Sequence, residues 1–158
     1  MGFLRTLLDR LRGVRPPIVS VDDPVLGRLT RGGDRWDGEL RNGDRVIELS
    51  VFGTRDAPSP EALEMLKRMA LPWGAFEQRV ARHLSDEAER PMWRDFAREI
   101  VAQRISALSM GRKRHPAEGW VFLEDSRPAE ELSEDEYSDR AWRCWHSNGQ
   151  FSRLGFDS

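Results

Sequence analysis

Cys144 is the single cysteine of the 158-residue chain, and it lies two positions before His146. If residues 140–146 and 151–156 pair as a hairpin around Asn148-Gly149, with Ser147 opposite Gln150, then His146 faces Phe151, Cys144 faces Arg153 and Trp142 faces Gly155. Trp142, Cys144, His146 and Arg153 then share one face. An arginine beside a thiol lowers its pKa and a histidine can take its proton, which is the chemistry of a nucleophilic or redox-sensing cysteine. Against this, residues two apart on a strand are roughly 7 Å apart at Cα, and no third group is evident to orient His146. A small buried hydrophobe at Cys144 and a half-exposed strand residue at His146 explain the same positions more simply. A metal there would need His83, His115 or distant carboxylates, none at a recognised zinc spacing, so no metal and no cofactor is assigned.

Two other sets carry charge. Asn42-Gly43, the strongest short hairpin signal, places Asp37 opposite Glu48, with Glu39 opposite Val46 beside them. Like charges across a strand pair are mildly destabilising and call for a cationic partner or a nearby guanidinium, for which Arg28, Arg35 and Arg41 are at hand. The run Arg112-Lys113-Arg114-His115 resembles a phosphate-binding tract, but it has no interleaved aromatics and suits the negative end of a preceding helix better. There is no glycine-rich phosphate loop, serine-nucleophile elbow or zincin motif.

The elements that must position these residues follow from periodicity. Phe3, Leu4, Leu7, Leu8 and Leu11 line one face of an amphipathic helix over residues 1–15, stopped by Gly13 and Pro16-Pro17. Such a basic helix suits a membrane surface, a partner's groove or the domain's own core. Strands are expected over residues 25–30, 35–41 and 44–52, with Trp36, Leu40, Ile47, Leu49 and Val51 on the core face. Ser59 and Pro60 open a helix running to Leu71, a second spans residues 72–89, and a third runs from Pro91 through Ile105 and Leu108 to Gly111. Residues 119–123 read as a short strand before an acidic loop, 124–139, with eight acidic residues and Arg127 as its one basic residue.

Composition bounds the rest. With 39% hydrophobic and 33% charged residues the chain fits one ordinary domain that needs no staples. The lone cysteine agrees with a reducing, cytoplasmic setting, and no apolar run spans a bilayer. Net charge of −2 speaks against a dedicated nucleic-acid binder. Residues 1–115 carry +4 and residues 116–158 carry −6, so the acidity is C-terminal. Arginine outnumbers lysine 23 to 2, which hints at a bacterial source.

Asp23, Pro24, Val25, Gly27, Leu29, Trp36 and Gly38, after a Met-Gly-Phe start, resemble the opening of small bacterial proteins of unknown function, over about a third of the chain. Those proteins look like members of families found among toxin-immunity and related interaction genes. The resemblance implies an interaction role and supplies no catalytic residue.

The expectation is an amphipathic segment, 1–17, followed by one α+β domain, 18–158, in which a mainly antiparallel sheet (an N-terminal meander and a C-terminal hairpin) packs on two or three helices. Its expected function is non-enzymatic protein binding, of the immunity-inhibitor type, with the acidic loop against a basic partner and Trp142 or Tyr137 as exposed anchors. The contact residues expected are Trp36, Asp37, Glu48, Tyr137, Trp142, Cys144, His146 and Arg153. The alternatives are an enzyme or redox sensor on Cys144, His146 and Arg153, and peripheral membrane association through residues 1–15.

Overall fold

Tight turns at glycine build the first half of the fold, which a computed structural model describes over residues 17–132 and 140–157. Strands β1 (Ser20–Asp23), β2 (Gly27–Gly32), β3 (Arg35–Asn42) and β4 (Arg45–Phe52) form an antiparallel meander. β1 is additional to the three expected strands. The Asp23 carboxylate accepts the backbone N–H groups of Val25 and Leu26, each at 2.8 Å, so the chain turns at residues 24–26 where the sequence reading begins a strand. Asn42 pairs with Arg45, which leaves Gly43-Asp44 as the two-residue loop, with φ of 60° at Gly43. Every cross-strand pair consequently moves by two: Trp36 faces Val51, Gly38 faces Leu49 and Leu40 faces Ile47. An even shift keeps side chains on their faces, so the expected core face holds. The partners change, however, and Glu48 stands opposite Glu39 while Asp37 stands opposite Ser50.

Helix α1 (Pro60–Ala70) starts as its sequence dictates, with Ser59 Oγ accepting from Ala62 N–H at 3.3 Å and Pro60 in the first turn. α2 (Trp73–Ala88) follows, then a 3-10 turn (Pro91–Phe96) and the short α3 (Ala97–Val101). The expected third helix ends here. Ile105 and Leu108 lie instead on β5 (Gln103–Arg112), where a bulge between Ile105 and Ala107 resets the alternation and lets two residues three apart face the core together. On a sequence that spacing imitates one face of a helix. Gly111 and the Arg112-Lys113-Arg114-His115 run likewise belong to the hairpin between β5 and β6 (His115–Asp125), with positive φ at Gly111 and Arg114, and no helix dipole is involved.

β7 (Ala141–Ser147) and β8 (Gln150–Asp157) complete one eight-stranded sheet in chain order. Neighbours are antiparallel except β4 and β5, which run parallel because the helical segment carries the chain back across the sheet. The fold is α+β. Helices and sheet share one core, in which Leu66, Phe76, Val80, Leu84 and Ile100 meet Ile47, Leu49, Val51, Leu108, Val121 and Trp142. Burying each such side chain contributes roughly 1.5–3 kcal/mol. Gly119 is fixed by close approach, since a Cβ there would lie 1.9 Å from the Ser109 carbonyl oxygen. Among the described residues no helix is long and apolar enough to cross a membrane.

Candidate functional site

The C-terminal hairpin turns where expected, with φ of 51° at Asn148 and 76° at Gly149, the paired positive values of a type I′ turn. Ser147 faces Gln150 and His146 faces Phe151. Beyond that the strands slip. Trp145 pairs with Ser152 and Cys144 with Leu154, leaving Arg153 unpaired at φ 47°, exposed and off the Cys144 face. Cys144 and His146 project to the helix side, both fully buried, so His146 is not the half-exposed residue expected. Burial, with Glu87 nearby, pushes the Cys144 thiol up to about 12. This is the reverse of an activated thiol. The His146 ring nitrogen Nε2 lies 3.1 Å from the Ser109 carbonyl oxygen while Nδ1 is buried without a partner among the described residues. Burial lowers the His146 pKa, outweighing the Ser109 hydrogen bond and Glu118, so the ring is held neutral.

Trp36 and Trp142 are core residues. Trp36 is fully buried with its indole N–H donating to the Thr54 carbonyl at 3.0 Å. Trp142 is 1% exposed, which removes it as a surface anchor, and its Nε1–H donates to Glu99 at 2.6 Å. The Glu99 carboxylate also receives Arg140 through Nε at 3.0 Å and Nη2 at 2.7 Å. Arg140 in turn lies 4.9 Å from the Phe96 ring centroid, a cation–π contact. Tyr137 lies outside the described residues.

This buried clamp anchors one end of the acidic segment. At the other end, Ser126 donates its backbone N–H at 2.9 Å and its hydroxyl at 2.6 Å to the Ala102 carbonyl. Ser126 and Arg140 therefore both seat on residues 99–102, at the junction of α3 and β5. Arg127 folds back on Asp125 at 2.8 Å, which holds that carboxyl below its usual range.

Asp37 and Glu48 lie on the opposite face, away from α1, α2 and α3. There they join a concave trough of about 1010 Å³ that also takes in Arg28, Glu39, Arg41 and Phe122. The expected neutralising arginines are mostly engaged elsewhere. Arg28 pairs with Asp22 at 3.1 Å and Arg41 approaches Glu39 at 3.6 Å. Arg35 donates to Ser50 Oγ at 2.7 Å and to the carbonyls of Ser50 (2.7 Å) and Gly111 (2.9 Å), tying β3 to β4 and β5; Asp37 accepts the Ser50 hydroxyl at 2.8 Å.

Farther along that face stands a ladder absent from the sequence reading. Trp120 and Trp145 are cross-strand partners with ring centroids 4.7 Å apart. Arg143 lies 4.5 Å from the Trp120 ring and Arg112 5.6 Å from that of Trp145, each also paired with a carboxylate, Asp157 at 2.9 Å and Glu118 at 2.7 Å. Only the alternation of Arg143 and Trp145 with buried neighbours on β7 could have announced it.

Among the described residues no group of three or more His, Cys, Asp and Glu side chains is placed to hold a metal ion. No protein-family model, curated protein or solved structure matches the chain.

Proposed function

We propose that the chain is a non-enzymatic protein-binding module whose acidic segment, residues 124–139, meets a basic surface of its partner. The observation that carries this reading is the pair of anchors at Ser126 and Arg140, which root on residues 99–102 the two ends of a stretch that carries six of the segment's eight acidic residues. Loops held on a rigid base are where recognition concentrates. Such charge gives specificity and rapid association more than raw affinity. The opening at residues 23–38, with its resemblance to immunity-type proteins, makes inhibition of a basic partner the job this module performs. Burial of Cys144 and displacement of Arg153 leave the thiol-enzyme alternative without an activated nucleophile.

Affinity capture by the tagged full chain from lysate of its source, at low and high salt, tests the reading. The expected result is one stoichiometric basic partner, released as salt screens the contact over a Debye length of about 10 Å or less. Capture of a stoichiometric partner indifferent to salt would overturn the acidic contact, and a chain that turns over a substrate at Cys144 would overturn the binding-module reading.

A further inference from the structure

The basic tract Arg112-Lys113-Arg114-His115 has no aromatic residue interleaved in its sequence, but the fold sets two beside it. All four residues are exposed on the hairpin between β5 and β6, and the next strands carry Trp120 and Trp145, half-buried on the face opposite Val121 and Cys144. Arg112 joins tract and ladder, with its guanidinium 5.6 Å from the Trp145 ring centroid and 2.7 Å from Glu118. Charge at this end is lopsided. Residues 112–123 hold three basic residues and His115 against one acidic residue, Glu118. That carboxylate is already shared: Arg112 holds it below its usual range, and His115, at 3.7 Å, and Arg153 act on it as well. Lys113, Arg114 and Arg153 are exposed and have no ion pair among the described residues.

We infer that this end of the sheet binds single-stranded nucleic acid, with phosphates on Lys113, Arg114 and Arg153 and unpaired bases on the Trp120–Trp145 ladder and the guanidinium planes beside it. Cations alone would suit any polyanion. Indole rings and arginine planes next to them select a polyanion whose own rings stack, and only unpaired bases offer their faces. The whole-chain charge of −2 does not oppose this, because the acidity is held elsewhere. β6 is eleven residues long, so the acidic segment leaves the sheet about 33 Å from the tract, several times the Debye length of about 8 Å at physiological salt. The site is therefore separate from the acidic contact, and neither reading depends on the other.

Fluorescence anisotropy of a labelled oligothymidylate of about ten nucleotides, titrated with the full chain at several salt concentrations, tests the site. Saturable binding is expected, with the logarithm of the binding constant falling against that of salt at a slope of about −2, from three phosphate contacts at about 0.7 each. Lys113→Gln/Arg114→Asn should bring that slope to about −0.7; it breaks no ion pair among the described residues, and asparagine accepts the φ of 68° at position 114. Trp145→Leu should weaken binding about tenfold. Should that change disturb the sheet, an abasic oligomer of the same length decides, since the wild type should bind it about tenfold more weakly than oligothymidylate. No saturable binding, a slope unmoved by the tract variant, or an abasic oligomer or inorganic polyphosphate bound as tightly as oligothymidylate would overturn the proposal. Binding to vesicles of phosphatidylcholine and phosphatidylserine with none to the oligomer would assign the cations to a membrane and would equally overturn it.

Discussion

Cys144 and His146 illustrate how chemistry written in a sequence is undone by where its side chains point. Their shared face is legible from the alternation of a strand, and the structure keeps it. The face itself turns inward, and Arg153, the group that would have activated the thiol, is rotated away by a single bulge that has no sequence signature, since an arginine does not favour φ 47°. The native thiol should resist alkylation near its ordinary pKa of about 8.5 and react only as the chain unfolds. Rapid native labelling would contradict its burial. Buried His146 and half-buried His83 give a pH dependence of definite sign. Burial holds both His83 and His146 below the usual value near 6.5, outweighing acidic neighbours, so between that value and the lower folded one the unfolded chain binds more protons. Stability is then full above about pH 7 and lost as pH falls through 6.5 toward the folded values. The urea midpoint should drop between about pH 7.5 and about pH 5.5, before carboxylates such as Asp125 are protonated. A flat midpoint across that window would contradict it.

At the scale of elements, the signals that survive are local and the ones that fail depend on a bulge or on a partner. Ser59-Pro60 opens α1 and Asn148-Gly149 closes the last hairpin, because each is settled within four residues. β5 was hidden because its bulge spaces Ile105 and Leu108 as a helix would, and β1 because its pairing needs the Asp23 turn. The Glu99 clamp is a further case: Glu99, Arg140 and Trp142 are separated by about forty residues, and only the fold brings them together. A buried carboxylate with two partners is expensive to break. Glu99→Ala should cost about 1–3 kcal/mol of unfolding free energy, leaving the buried Trp142 indole N–H unpaired and the half-buried Arg140 guanidinium without its carboxylate, whereas an exposed change such as Glu130→Ala should fall within about 0.5 kcal/mol. A Glu99→Ala midpoint equal to wild type would show that the clamp anchors nothing.

At the scale of the whole molecule, the described residues form two antiparallel four-stranded halves joined by a parallel seam at β4 and β5, with α1, α2 and α3 packed on one face of the sheet. The α+β class and the core face of the first meander were readable because hydrophobic alternation and turn residues carry them. The parallel seam was not, since it depends on which strands meet after the helical excursion, a question of long-range packing that no local pattern encodes. The covered face supplies stability, and contact is the role proposed for the segment rooted at Ser126 and Arg140. The central claim is that this acidic segment is the contact. Its most direct measurement is the affinity for the captured partner of wild type and of the Glu130→Gln/Glu131→Gln/Glu134→Gln/Glu136→Gln variant, each at low and high salt. Neutralisation should weaken binding about tenfold or more at low salt and flatten the salt dependence; equal affinities with an unchanged salt slope would mean that the partner binds elsewhere.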